Sequence, residues 1–226
     1  MFVRIFFIIY ISMCIKAYYD SKKFNPNASL KIYASYEIPN LDEKEPILIN
    51  NEPIKYNSIF DKDNLKYYTY NGKLIRLLDF KEDKDIYLMD NGELINDLMI
   101  DSQMKNIYNK FKNNISCNYN ESASIIKGSF ITKLKQNYHT LHIIGGVDGN
   151  CLLWLINPKH GNDIKNKDFD DIKKWAIQIK LSSSNYCVIP TNWYYILDYN
   201  EEFIQYSITA DNYFTIAFSF IQQLYN

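Results

Sequence analysis

The stretch that most constrains the fold is an apolar run near the C-terminus, Asn185-Tyr-Cys-Val-Ile-Pro190-Thr-Asn-Trp-Tyr-Tyr195-Ile. Proline cannot donate a hydrogen bond to a sheet ladder, so the run predicts two short strands that meet at a tight corner. We place these strands at residues 186–189 and 193–197. Successive side chains of a strand point to opposite faces, so Trp193 and Tyr195 should share one face and Tyr194 should lie on the other.

Length and composition favour a single, mainly β domain without a nucleic-acid partner. The chain has 226 residues, with 20 Tyr and 13 Phe against only 7 Gly and 6 Pro, and such aromatic residues favour strands. The formal net charge is -1, from 25 basic and 26 acidic residues spread along the chain. Phosphate backbones require a basic stripe, which this sequence lacks, so we expect no nucleic-acid binding.

The N-terminus carries a short apolar block, residues 5–15, behind Arg4 and closed by Lys16. At about eleven residues the block is short for a membrane span and suits the apolar region of a signal peptide. We therefore predict a signal peptide or uncleaved membrane anchor over residues 1–19, a globular domain over residues 30–226, and a secretory or membrane-anchored location. The alternative is that the block forms a buried first strand.

Other local signals concern modification and metals. Three N-glycosylation sequons are present, and the acceptors are Asn27, Asn114 and Asn120. The four cysteines have no metal-ligand spacing, and we expect Cys151 and Cys187 to be buried as small apolar residues.

Element signals divide the chain into a helical N-terminal half and a strand-rich C-terminal half. We predict helices over residues 60–68, capped by Asp61, and over residues 92–111, with a turn at the glycines of residues 145–149. Strands are predicted at residues 124–127, 130–134, 138–144, 151–156, 175–181, 186–189, 193–197, 203–208 and 213–221. Their number and spacing indicate a jelly roll, or double-stranded β-helix.

Several motifs resemble those of the JmjC-like, cupin-type 2-oxoglutarate oxygenases. In that family an Ile-Pro pair precedes Trp-Trp-His, and the histidine is the last ligand of a catalytic iron. Here Ile189-Pro190 precedes Trp193-Tyr194-Tyr195, while Lys127-Gly128 and the segment from Gly149 to Pro158 match the lead-in and the next strand. The chain is similar to divergent JmjC/cupin-like proteins of the cupin_8 type found in large DNA viruses, which implies a cupin-like fold and allows virion association.

The resemblance also implies where an iron site would lie and which residues replace it. The three ligand positions fall on Lys135, Asn137 and Tyr195. A lysine ammonium repels a divalent cation, an asparagine offers only a neutral carbonyl, and a tyrosine with a reference pKa near 10 must ionise to bind well. We expect these residues to line a pocket together with Thr132, Trp154 and Trp193, and we expect no metal and no cofactor.

Three alternatives for function remain open at this stage. A metal-free, non-catalytic protein that binds a protein or small-molecule ligand, or serves as a structural component, is favoured by the replaced triad. The second is an active hydroxylase that uses Fe(II) and 2-oxoglutarate at an unusual site, with His139 or His142 turned inward near Asp148. Those histidines are three residues apart, so on a regular strand they should face opposite sides. The third is a sugar-binding cupin with stacked aromatic residues around Trp154, Trp193 and Tyr195.

Overall fold

The computed structural model describes residues 2–37, 41–58, 67–70, 73–76, 86–111, 116–216 and 219. The described part is mainly β, as predicted. The helices are α1 (Phe2–Lys22), α2 (Glu93–Asp97), α3 (Asp101–Phe111) and α4 (Phe169–Ile172). The strands are β1 (Lys31–Ala34), β2 (Ile47–Asn50), β3 (Tyr67–Tyr70), β4 (Lys73–Arg76), β5 (Ile86–Asn91), β6 (Ser116–Lys127), β7 (Phe130–Ile131), β8 (Lys135–Gln136), β9 (Leu141–Ile156), β10 (Ala176–Ser182), β11 (Asn185–Val188), β12 (Tyr194–Tyr199) and β13 (Phe203–Asn212).

The long strand β9 belongs to two parts of the sheet. Its first part, residues 141–149, pairs with β11 and β13 in the order β1-β2-β11-β9-β13-β6-β5, which we call the front sheet. Its second part, residues 150–156, pairs with β10 and β12, and β12 also pairs with β7 and β8; these strands form the back sheet. One strand therefore links two sheets that can pack face to face.

Apolar side chains fill three spaces around these sheets. The middle cluster lies between them, because it joins Ile144 and Cys187 of the front sheet to Leu153 and Leu197 of the back sheet. A second cluster packs the other face of the front sheet against α2 and α3, and a third covers the other face of the back sheet near α4. The alternation of side chains along each strand thus supplies both faces of each sheet.

The glycine-rich segment predicted as a turn is instead part of β9. A Cβ atom on Gly145 would lie 2.4 Å from the Tyr206 ring, and one on Gly146 would lie 2.5 Å from the backbone of Ser182. Of the three glycines in this segment, only Gly149 has a positive φ, of 74°. These glycines therefore permit close approach of neighbouring groups within a continuous strand, and the predicted strands 138–144 and 151–156 are joined into one.

The predicted strand over residues 213–221 is wrong where it can be checked. Residues 213–215 form a turn, and Ile216 and Ser219 are helical. The side-chain oxygen of Asn212 accepts hydrogen bonds from the backbone N–H groups of Phe214 and Thr215, which ends β13. Such a side-chain turn satisfies the donors that a strand would otherwise pair.

The helical prediction for the N-terminal half is correct only in part. Residues 92–111 form two helices, because Met99 between them has a positive φ of 56°. Most of the helix predicted at residues 60–68, including Asp61, lies outside the described residues, and Tyr67 already belongs to strand β3. Five strands, β1 to β5, also lie in this half.

The N-terminal apolar block forms part of helix α1, so the alternative of a buried first strand is wrong. Large apolar side chains of α1 are exposed; that of Phe6 is 77 % exposed. The Lys44 ammonium donates hydrogen bonds to the carbonyls of Asp20 and Lys23 at the end of this helix. None of the described helices combines the length and apolarity needed to cross a membrane.

Candidate functional site

A cavity of about 550 Å³ opens between the two sheets. Its lining comes from β5, β6, the first part of β9 and β13 on one side, and from β8, β12 and the loop after β8 on the other. The lining residues are Asp90, Asn120, Ser122, Leu134, Lys135, Gln136, Asn137, Tyr138, His139, His142, Ile144, Tyr194, Tyr195, Leu197, Gln205, Ser207 and Thr209. The cavity is thus predominantly polar, although the adjoining cluster between the sheets is apolar.

One wall of the cavity is a polar ladder across two paired strands. Three cross-strand pairs stand in register between β6 and β13; they are Ser124–Gln205, Ser122–Ser207 and Asn120–Thr209. The residues between them, such as Ile125 and Tyr206, face the helices. This wall is not among the predicted pocket-lining residues. Its signal is the alternation of polar and apolar residues in both strands, which indicates a wet inner face.

Lys135 and Tyr195 stand side by side on the second wall. They are direct partners in the antiparallel pairing of β8 with β12. Neither the Lys135 ammonium nor the Tyr195 hydroxyl has an ion-pair or hydrogen-bond partner among the described residues. Burial, and to a smaller extent the charge of Asp90, raises the pKa of Tyr195 above its usual value, so this hydroxyl is protonated at neutral pH.

Asn137 and Thr132, in contrast, use their hydrogen-bonding groups to hold the backbone. The Asn137 amide nitrogen donates to the carbonyls of Ile189 and His139, at 2.8 and 3.2 Å, while its oxygen accepts from the His139 N–H. The Thr132 hydroxyl accepts a hydrogen bond from the Leu197 N–H at 2.9 Å. Asn137 borders the cavity, whereas Thr132 is buried and is not among the lining residues.

The aromatic residues predicted for the pocket lie on different faces of the back sheet, because side chains alternate between the faces along β9 and β12. Trp193 is fully buried in the cluster between the sheets, together with Tyr195, and does not line the cavity. Trp154 lies on the opposite face of the back sheet, where its ring packs edge-on against that of Phe169 with 5.7 Å between the ring centroids. Tyr194 packs on that same outer face and is also among the residues that line the cavity. Only Tyr195 of the three predicted aromatic residues lines the cavity.

The two histidines of the segment both face the cavity, so their predicted separation to opposite sides is wrong. His139 precedes β9 rather than lying within it, and its ring centroid is 6.2 Å from that of His142. His142 is buried; its Nε2 lies 3.3 Å from the Ser207 hydroxyl, and its Nδ1 has no hydrogen-bond partner in the part of the chain that the structure describes. Burial, with smaller effects from His139 and Lys135, lowers the pKa of His142 to about 3, so its ring is neutral.

His139 is paired with a buried carboxylate rather than with Asp148. Its Nδ1 lies 2.8 Å from Asp211, whose carboxylate also accepts hydrogen bonds from the Thr140 N–H and the Ser219 hydroxyl. Burial alone would raise the pKa of Asp211, but these hydrogen bonds outweigh it and leave the pKa below its usual value. Asp148 instead accepts a hydrogen bond from the Tyr56 hydroxyl and does not line the cavity.

The donor groups at the predicted iron position do not suit a divalent cation. Lys135 brings a positive charge, the Asn137 amide is engaged with backbone groups, and Tyr195 resists ionisation. Within the described ranges, no group of three or more His, Cys, Asp or Glu residues is arranged to hold a metal ion.

The remaining predicted sites are two cysteines and the glycosylation acceptors. Cys151 and Cys187 are buried, as expected from the sequence, and neither forms a disulfide within the described part of the chain. Asn27 is exposed in a turn, Asn120 is exposed on β6 at the cavity wall, and Asn114 lies outside the described residues.

No protein-family model and no curated protein matches the sequence. Similar solved structures include a conserved protein of unknown function from Streptococcus pyogenes, with a TM-score of 0.31 and 6 % identity over 42 % of this chain and 66 % of that one. A cupin superfamily protein from Desulfitobacterium hafniense DCB-2 has a TM-score of 0.29 and 8 % identity over 41 % of this chain and 68 % of that one. The chain thus spans about two thirds of the length of each, and likenesses this distant carry no argument about function.

Proposed function

We propose that this chain is a metal-free, non-catalytic binding protein built on a cupin-like double-stranded β-helix. The strand order supports the fold. The eight successive strands of the double-stranded β-helix are counted as β6, β7 with β8, the first part of β9, the second part of β9, β10, β11, β12 and β13. In this count the order across the front sheet is first, eighth, third and sixth. The order across the back sheet is second, seventh, fourth and fifth. Successive strands thus alternate between the two sheets, except that the fourth and fifth form a hairpin within the back sheet, which is the pattern of a jelly roll.

The observation that carries the binding role is the state of the cavity's polar groups. Lys135 and Tyr195 have no polar partner in the described part of the chain, although both lie where the resemblance implies metal ligands. A cavity lined by such groups suits a small polar ligand, because a ligand can supply the hydrogen bonds that the protein does not. The sugar-binding alternative loses its main support, since Trp154 and Trp193 do not line the cavity.

Metal analysis of the purified protein tests this proposal. Protein prepared with added Fe(II), and separately with Mn(II) or Zn(II), should contain far less than one metal ion per chain after desalting. The matched variant Lys135→His/Tyr195→His places two imidazoles at directly paired positions, and it shows whether the assay detects metal in this cavity. Near-stoichiometric iron in the natural protein, lost on substitution of Lys135 or Tyr195, would contradict the proposal and favour the hydroxylase alternative.

The proposal includes a membrane or secretory location, in which the N-terminal segment meets a lipid surface. Its support is the exposed apolar surface of α1 over residues 5–15, behind Arg4. Full-length protein should float with vesicles of neutral and anionic phospholipid, whereas protein that lacks residues 2–16 should not. Equal flotation of the two proteins would contradict this part of the proposal.

A further inference from the structure

Two opposite charges of the cavity lining, those of Lys135 and Asp90, have no ion-pair partner among the described residues. We propose that the cavity binds a small zwitterion, such as a free amino acid, whose carboxylate meets Lys135 and whose cationic group meets Asp90. This inference rests on the proposed binding function and names its ligand class.

The Lys135 end of the cavity suits a carboxylate. The Lys135 ammonium has no carboxylate within ion-pair distance among the described residues, and the Tyr195 hydroxyl opposite it is a free donor. A carboxylate placed between them accepts one charge-assisted hydrogen bond and one from a neutral hydroxyl. The nearby His142 ring is neutral, so it adds no competing positive charge.

The Asp90 end suits a cation, and the backbone there is shaped to present the carboxylate. Asp90 adopts a positive φ of 53°, at an irregularity in the pairing of β5 with β6. Its N–H donates to the buried Ser124 hydroxyl at 2.9 Å, which supports this conformation. Asp90 is a solvent-exposed residue of the cavity lining, and its carboxylate has no partner in the described chain. Bulges that redirect one side chain are common beside binding sites, and a non-glycine residue in this conformation costs free energy that function can explain.

The balance of charges selects the ligand class. The other carboxylate near the cavity, Asp211, is already hydrogen-bonded to His139. Asp90 is solvent-exposed, so its charge costs little when it is unpaired. A zwitterion is favoured because it gains an ion pair at both ends, whereas a simple anion or a simple cation gains only one. The polar ladder of β6 and β13 can hydrogen-bond the middle of such a molecule, and about 550 Å³ is ample for an amino acid.

Calorimetric titration of the full chain tests the inference. The probes are the free α-amino acids, a series of longer zwitterions (β-alanine, γ-aminobutyrate and 5-aminovalerate), and the single-charge controls acetate, propionate and methylammonium. At least one zwitterion should bind more tightly than every single-charge control. Lys135→Met should weaken that binding by about 10-fold to 100-fold, the value of a charged hydrogen bond. Asp90→Asn removes an exposed ion pair and should weaken it by about 2-fold to 5-fold.

Matched variants separate loss of the site from loss of the fold. Lys133→Met and Asp168→Asn change exposed charges that do not line the cavity, so they should leave binding unchanged. Asparagine tolerates the left-handed conformation of Asp90, so Asp90→Asn should keep the wild-type unfolding midpoint. The inference is overturned if no zwitterion binds, if single-charge controls bind as tightly, or if binding is unchanged in Lys135→Met. Iron content measured on the same preparation reports separately on the metal-free proposal.

Discussion

Replacing Trp193 with alanine removes the largest fully buried side chain in the described part of the chain. The ring packs between the two sheets beside Tyr195 and Leu197. Burial of an aromatic side chain removes about 150–250 Å² from water, worth roughly 4–6 kcal/mol at about 25 cal/mol per Å². The Trp193 Nε1 has no hydrogen-bond partner, and its removal returns about 1–3 kcal/mol. We expect Trp193→Ala to lower the free energy of unfolding by about 3 kcal/mol.

The unpartnered indole N–H makes a second substitution informative. Trp193→Phe keeps most of the apolar ring and removes the buried donor, so the two effects oppose each other. We expect it to change the free energy of unfolding by less than about 1 kcal/mol. Tyr195→His should also be tolerated, because the Tyr195 hydroxyl lines the cavity and has no polar partner among the residues described.

Urea denaturation measures these effects, provided that the slope of the transition stays constant across the variants. Tyr194→Ala is the neighbouring control, because Tyr194 is half-buried on the opposite face of the back sheet and should cost less than Trp193→Ala. A loss of less than about 1 kcal/mol in the free energy of unfolding of Trp193→Ala would contradict the expected packing of this ring, as would a Trp193→Phe variant that is as unstable as Trp193→Ala. Unfolding of the domain by Tyr195→His would contradict the orientation of β12.

A crowded glycine, a buried histidine and the exposed N-terminal helix can each be tested by substitution or deletion. Gly146→Ala should destabilise by about 2 kcal/mol or more in urea, because its Cβ would lie 2.5 Å from backbone atoms, whereas Gly92→Ala, with its nearest contact at 3.7 Å, should be nearly neutral. The pKa of His142 is about 3 in the folded state, below the unfolded value near 6.5. As the pH drops between these two values, the free energy of unfolding should therefore fall by about 1.4 kcal/mol per pH unit. The variant His142→Gln should flatten this pH dependence in unfolding curves. Deletion of residues 2–16 should change the thermal midpoint little, since most large side chains of that segment are exposed, and a collapse of the fold would show that α1 is a core element.

The sequence was most informative where a local chemical constraint acts. Pro190 cannot extend a ladder, and β11 and β12 do end and begin on either side of it, within one or two residues of their predicted bounds. Trp193 and Tyr195 were predicted to share a face because side chains alternate along a strand, and this alternation does not depend on tertiary contacts. Lys135 and Tyr195 were placed at one site by the resemblance, and in the structure they are paired across β8 and β12.

Sequence reasoning failed where a residue's role depends on a distant neighbour. Gly145 and Gly146 have the composition of a turn, but they are needed because the Tyr206 ring and the Ser182 backbone approach β9 closely. His139 and His142 reach the same cavity because β9 begins only at Leu141, a boundary that their spacing does not reveal. Asp90 enters the cavity through an irregularity in β5, which depends on its pairing with β6.

The polar residues around the cavity form two groups, those that hydrogen-bond the protein backbone and those that do not. Thr132 and Asn137 bond the backbone around β12, so their polarity is explained by the fold itself. The Lys135 ammonium, the Tyr195 hydroxyl and the His142 Nδ1 make no such bond within the described ranges. The buried His142 Nδ1 costs about 1–3 kcal/mol without a partner, and the half-buried Lys135 gains no ion pair from the fold. Folding alone therefore does not explain these polar residues, in contrast to the apolar cluster between the sheets. A bound ligand that supplies these hydrogen bonds recovers the cost, and the polarity of this cavity is therefore evidence for binding rather than for stability.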